Sequence, residues 1–328
     1  MKKRGEDRKM ITLSIIIPTY KGEANIAIAV KSALSQRIDG ETEVIVVDDN
    51  GAGSEHQIAT ETILNEYIIK QQIKYIKHET NKNGSAARNT GFKVSSGEYI
   101  VFLDDDDYLF PEKTQIQIDQ LEEKGEEYGF SVSAGYYVHK NGRGYLKRIN
   151  HKDAFLFNYL MDRNYFNTSA LVLRRKCILD IGGFDESYQR HQDWEFCSRI
   201  LCETNVCYVN MPLLIKYAEN RNIAPNNKIR ESQLDSFLEK IQPTLEKTLS
   251  HKQIDIITRY KYRQVFCGYI ISKQFSKGYT FLREHNCGNK DLFLGIVELF
   301  LFAIRRTVNG SRKVTYSFSE IKNMVLGE

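Results

Sequence analysis

No C-x-x-C pair occurs among the six cysteines, Cys177, Cys197, Cys202, Cys207, Cys267 and Cys287. Structural zinc sites need such paired spacing, so a zinc ribbon or finger is excluded. Apolar neighbours mark these residues as buried free thiols, which suits a reducing, cytoplasmic compartment. No G-x-G-x-x-G follows the first apolar run, so the dinucleotide fingerprint of dehydrogenases is missing. No G-x-x-x-x-G-K-[ST] occurs either, which excludes a P-loop kinase. No stretch of about 18 apolar residues could cross a bilayer. The nearest, LFLGIVELFLFAI at residues 292–304, is short and interrupted by Glu298. The opening MKKRGEDRKM is charged and runs into a strand-like segment with no apolar signal region, so it is not read as a secretory signal. Net charge is only +4, from 46 basic and 42 acidic residues, too little to argue for a nucleic-acid partner. Internal repeats and low-complexity tracts are absent as well.

What is present is a globular chain. It has 328 residues, 41% hydrophobic and 27% charged, enough to bury a sizeable core. Strand-like and helix-like patterns alternate through its first half. Strands are expected at 12–17, 43–47, 73–77 and 99–103, with helices over 23–35, 55–70, 84–94 and 111–124 between and after them. This order predicts an α/β fold whose mainly parallel sheet carries helices on both faces. Further strands are expected at 130–139, 143–148, 170–173 and 206–217, a turn at 182–185 and a helix at 194–201. The amide-rich NRNIAPNN at 220–227 reads as a linker to a helical C-terminal region. The expected division is therefore a tail (1–11), a catalytic α/β domain (12–220) and C-terminal helices (221–328).

In parallel sheets ligands bind beyond the carboxyl ends of the strands. Three clusters fall there: Pro18-Thr19-Tyr20, Asp48-Asp49-Asn50 and Asp104-Asp105-Asp106-Asp107. Four adjacent carboxylates repel one another and call for a cation. Asp104 and Asp106 lie two apart on an extended segment and can share a face, as Mg²⁺ or Mn²⁺ with substrate phosphates would need. The bland alternative is a solvated acidic turn, with Asp107 capping the following helix. Asp48 or Asp49 could accept hydrogen bonds from a ribose hydroxyl or a base N–H, or could cap the helix near Ser54. In NGSAARNTGF, residues 83–92, small residues open a helix, and Arg88 suits a phosphate or a buried aspartate. Asp193, in HQDWE at 191–195, is a candidate general base or else a helix N-cap.

These pieces in this order resemble an inverting family 2 glycosyltransferase of the GT-A fold, of the bacterial polysaccharide-biosynthesis type. The matching segments are SIIIPTYKGEANI (14–26), VIVVDDN (44–50), NGSAARNTGF (83–92), EYIVFLDDDDYL (98–109), GGFDE (182–186) and QDWEF (192–196). The resemblance implies a Rossmann-like domain that binds a nucleotide-diphospho-sugar, with a UDP-sugar the expected donor. It implies that Pro18, Thr19, Tyr20 and Glu23 line the nucleoside pocket and that Asp49 meets the base beside Asp48. Arg88, Asn89, Asp104 and Asp105 would surround the donor. Asp104 and Asp106 would hold a divalent cation, Mn or Mg, and Asp193 would be the base. Gln192 departs from the family, which often has Glu there. The implied acceptor is a glycan or lipid-linked saccharide. A nucleotidyltransferase and a non-catalytic nucleotide-sugar-binding protein are the competing readings. The former would want a glycine-rich basic signature that PTYKGEAN does not supply.

The C-terminal third lies outside the resemblance. Leu292 to Ile304 is apolar on more than one face, and Arg305, Arg306, Arg312 and Lys313 follow, which makes 290–313 a candidate contact segment. Such a segment suits packing against the domain or a second copy first, and an anionic membrane surface second. The resemblance implies peripheral contact at the inner face of the plasma membrane.

Overall fold

The computed structural model describes residues 11–139, 144–150, 153–164, 166–218 and 226–311, with side chains at 11, 139, 218 and 302–311 left aside. The linker expected at 220–227 falls almost wholly outside these residues, as do Arg312 and Lys313.

The first half alternates as its pattern predicts. β1 (Ile11–Thr19), α1 (Ile26–Leu34), β2 (Glu41–Asp48), α2 (Glu55–Ile69), β3 (Lys74–Lys77), α3 (Gly84–Val94) and β4 (Tyr99–Phe102) come first. β5 (Asp107–Leu109), α4 (Lys113–Lys124), β6 (Tyr128–His139), β7 (Gly144–Lys147) and α5 (Phe155–Leu160) follow. β8 (Leu171–Arg174), α6 (Arg175–Ile181), α7 (Gln192–Glu203) and β9 (Asn205–Ala218) complete the α/β part. The strands form one mixed sheet in the order β3-β2-β1-β4-β8-β6-β9-β5, with β7 beside β6. β3, β2, β1 and β4 are parallel, and β8 then enters antiparallel to β4.

β1 is central, and Leu13, Ile15, Ile16 and Ile17 are fully buried. A proline in a central strand normally removes a ladder bond. Pro18 is tolerated because the pairing of β1 with β4 ends at Ile16↔Phe102, two residues earlier. Past that point β1 pairs only with β2, and the chain after Thr19 meets the chain after Leu103 through the hydrogen bond from the Thr19 hydroxyl to Asp105.

α3 packs closely on β1. A Cβ at Gly91 would collide with Ile16 Cγ2, so glycine sets that approach. α4 begins at Lys113 and its N-cap is Glu112, not Asp107. The capping role weighed for Asp107 is therefore wrong: Asp107 opens β5 opposite Lys216 of β9.

Four helices follow: α8 (Asn227–Leu245), α9 (His251–Ile271), α10 (Phe275–Glu284) and α11 (Asn289–Ser311). Phe237 of α8 packs against Tyr188, His191 and Trp194, so these helices share the core of the α/β part. α11 leaves Phe293, Ile296, Phe300 and Leu301 exposed. Among the described residues, no helix is long and apolar enough to cross a membrane. The cysteines are free, three buried and three half-buried.

Candidate active site

The acidic run turns after β4, keeps the carboxylates of Asp104, Asp106 and Asp107 together and sends Asp105 toward Thr19. Asp104 meets Arg88 of α3 at 2.7 Å and Lys216 at 3.4 Å. Burial pushes its carboxyl up, but Lys216 and Arg88 pull it down further, to about 2, so it stays ionised. Asp105 is buried and accepts the Thr19 hydroxyl at 2.6 Å. The backbone at Gly22 lies so close that any Cβ would overlap Asp105 Oδ2. Asp107 is fully buried, 3.2 Å from Lys216 Nζ and 2.6 Å from Asn167 Nδ2. Burial and the neighbouring Asp106 and Asp104 raise it to about 7 against the pull of Lys216.

Carboxylate oxygens of Asp104, Asp106 and Asp107 lie within 4.8 Å of one another. The donor set is oxygen only, which suits Mg²⁺ or Mn²⁺. Asn167 Oδ1, buried beside them, has no hydrogen-bond partner among the described residues. The residues present therefore fit a hard divalent cation, with Lys216 supplying positive charge from the β9 side.

Asp48 and Asp49 end β2. Asp48 accepts the Tyr75 hydroxyl at 2.6 Å and the Asn50 amide at 2.9 Å. Burial raises its carboxyl, and Asp49 adds to this, against the lowering effect of those bonds. Asp49 organises the segment after β3: Oδ1 takes His78 Nδ1 (2.7 Å) and the Lys82 amide (2.8 Å). Oδ2 takes Asn81 Nδ2 and the Asn83 amide, both at 2.9 Å. Neither aspartate caps α2, since Ser54 does so by accepting from the Gln57 amide. Pro18 and Glu23 lie partly exposed along the same edge, and Tyr20 is 48% exposed. Glu23 is held by His56 at 2.8 Å.

Asn83 caps α3 by accepting from the amides of Ser85 and Ala86. Arg88, one turn on, is buried and spans Asp104 and Gln192 Oε1 (3.5 Å). Asn89 points the other way. Its amide donates to Phe184 O (2.9 Å) and Glu186 Oε1 (2.8 Å), and its oxygen accepts the Phe184 amide (2.9 Å). Asn89 therefore clamps the 183–186 turn.

α7 starts two residues earlier than its pattern suggests. His191, at φ 61°, is its N-cap and makes no side-chain cap bond, so Asp193 is not the cap. Asp193 stands in the first turn, within the fields of Arg88, Asp104 and Lys216. Burial raises its carboxyl; Arg88 and Lys216 oppose this, while Asp104 adds to it. A carboxylate so placed is a stronger base than one in water. Lys216 was invisible in the sequence, because only the β5–β9 pairing brings it to Asp107. Asn167 carried no motif beyond its amide.

The sequence profile of the family described as "Glycosyl transferase family 2" matches residues 14–180. The chain belongs to this family. The amylovoran biosynthesis glycosyltransferase AmsB of Erwinia amylovora is 30% identical over 198 residues, 58% of this chain and 64% of that protein. The chain thus spans just under two thirds of AmsB. The UDP-Glc:alpha-D-GlcNAc-diphosphoundecaprenol beta-1,3-glucosyltransferase WfgD of Escherichia coli is 25% identical over 220 residues, covering 67% of this chain and 81% of WfgD. The crystal structure of S. aureus TarS 1-349 in complex with UDP-GlcNAc superposes with a TM-score of 0.62 at 18% identity, covering 96% of this chain and 90% of that one. At that identity the likeness establishes the GT-A fold.

Proposed function

We propose that this family 2 member is an inverting glycosyltransferase. It moves a sugar from a nucleotide-diphospho-sugar, in our reading a UDP-sugar, to a hydroxyl of a glycan or lipid-linked acceptor in cell-surface polysaccharide synthesis. The observation that carries this is the convergence of Asp104, Asp106, Arg88, Lys216 and Asp193 beyond the carboxyl ends of β1 and β4. The UDP-Glc named for WfgD and the UDP-GlcNAc bound in TarS support the donor class.

Pro18, Thr19, Tyr20 and Glu23 form one wall of the nucleoside pocket. Asp48 and Asp49 form the other, and the exposed Asn81 amide on Asp49 can yield its place to a base N–H. Arg88 and Lys216 attract the diphosphate, and Asn89 and Asp105 hold the surrounding loops. Asp104 and Asp106 would hold Mg²⁺ or Mn²⁺, which when bound offsets negative charge on the leaving diphosphate.

Asp193 takes the proton of the acceptor hydroxyl. The acceptor oxygen bonds to the anomeric carbon as the bond from that carbon to the diphosphate oxygen breaks, and the electron pair leaves with the nucleoside diphosphate. Attack from the opposite face inverts the anomeric centre. Gln192, beside the base in the chain, is neutral and donates to Tyr188 O at 2.9 Å.

The test is Asp193→Asn. UDP affinity should stay within about twofold while transfer falls about 10²–10⁴-fold, the usual range for a general base. Retained transfer would falsify the role. A nucleotidyltransferase would instead release pyrophosphate from a nucleoside triphosphate, and a binding protein would turn over neither.

A further inference from the structure

The first turn of α7 faces two ways. Asp193 stands within the fields of Arg88, Asp104 and Lys216, while His191 and Trp194 line a separate, open pocket of about 140 Å³ together with the exposed Arg190, the half-buried Arg230, Lys261 and Gln264. The pocket sits between the catalytic part and α8 and α9. His191 stacks on Trp194 at 4.5 Å, and Lys261 Nζ lies 3.6 Å from the Trp194 ring centroid. Lys261 is buried and already neutralised by Asp162 at 3.1 Å, which also accepts from Gln264. The surplus charge is therefore that of the two arginines. Among the described residues, neither Arg190 nor Arg230 has a carboxylate at ion-pair distance.

Burial and the field of Arg230 lower Arg190, so the two guanidinium groups feel one another's charge. Burial, Arg190 and Lys261 keep His191 neutral, pushing it down to about 3, so it serves as a flat hydrogen-bonding wall. The N-terminus of α7 has no side-chain cap, and its first turn carries the carboxylates of Asp193 and Glu195, so the helix end is not counted as surplus charge. Two neighbouring guanidiniums beside an aromatic platform suit a phosphoryl group, since arginine binds phosphate oxygens bidentately.

We infer that this pocket holds a phosphoryl group of the acceptor, seating the acceptor so that its hydroxyl reaches Asp193 from the α7 side. The inference rests on the transferase reading and narrows its acceptor to a phosphate-bearing saccharide. Phosphate in a lipid-linked saccharide is a terminal diphosphate, and in a polymer it is an internal diester. The two sources can be told apart.

The test uses the full chain with its donor site saturated by UDP and Mg²⁺, titrated with octyl diphosphate, dibutyl phosphate and octyl maltoside. Octyl diphosphate or dibutyl phosphate should bind, and Arg190→Ala/Arg230→Ala should weaken that binding at least tenfold. Arg190→Lys/Arg230→Lys should recover part of it. Preference for the diphosphate assigns a lipid-linked acceptor, and preference for the diester assigns a polymer. Binding unchanged in the alanine variant, no binding of either phosphate, or equal binding of octyl maltoside overturns the inference. UDP affinity is read in the same samples. If UDP fails to bind the wild type, the donor reading falls, while a wild type that binds UDP but neither phosphate counts against the pocket alone.

Discussion

At the scale of residues, four adjacent aspartates divide their work because the chain bends between them. Asp104 is held ionised by two cations, Asp105 is spent on Thr19, and Asp107 is buried against Lys216 and Asn167. Asp106 completes the oxygen cluster. Metal-dependent transfer should therefore vanish in Asp106→Ala, measured as rate against Mn²⁺ concentration. Asp105→Ala should retain most of that dependence and lower the unfolding midpoint instead. Its loss leaves the buried Thr19 hydroxyl without its acceptor, at a cost of about 1–3 kcal/mol. Asp193 gives the pH dependence. Its carboxyl is raised by burial, and only the ionised form accepts a proton, so transfer should rise with pH through a midpoint above the ordinary aspartate range. A pH–rate profile flat from pH 4 to 8, windows chosen to span about the normal and raised carboxylate range, contradicts the assignment.

At the scale of elements, the strands and helices of the first half were legible because each buries one face, and period and length reveal that. The ends of β1, β2 and β4 were legible too, since polar clusters stop the apolar runs. What the sequence hid is pairing. Nothing local says that β5 runs antiparallel to β9, so Lys216 cannot be placed from the sequence and a capping role stays open for Asp107 there. Asn89 was hidden differently: its partners at 184 and 186 lie far along the chain. Lys113 was also unforeseen. It opens α4 fully buried, donating to the Leu171 carbonyl at 3.3 Å, and burial pushes it down to about 7. An unfolded lysine titrates near about 10.4. Between these values the unfolded chain binds the extra proton, so stability should rise with pH across that window. Lys113→Met should remove this rise and raise the midpoint at pH 7, because a buried ammonium held by a single carbonyl is costly. Chemical denaturation at pH 7 and 9 measures both effects.

At the scale of the whole molecule, the C-terminal helices are part of the catalytic body. Phe237 of α8 stands 5.5 Å from the His191 ring and 5.8 Å from Trp194, ring centre to ring centre, so it props the turn that carries Asp193. Phe237→Ala should cost about 3–5 kcal/mol in denaturant unfolding, and should depress kcat more than donor affinity. An unchanged kcat would mean that α7 keeps its place without α8. The account as a whole rests on the carboxylate site beyond β1 and β4 turning over a nucleotide sugar. The most direct measurement is release of nucleoside diphosphate from a panel of UDP-, GDP- and dTDP-sugars by the full chain, with and without Mn²⁺ or Mg²⁺ and beside Asp106→Ala. The account predicts metal-dependent release from at least one UDP-sugar by the wild type and none by the variant. Release that ignores both the metal and the substitution, or no release from any sugar nucleotide, contradicts it.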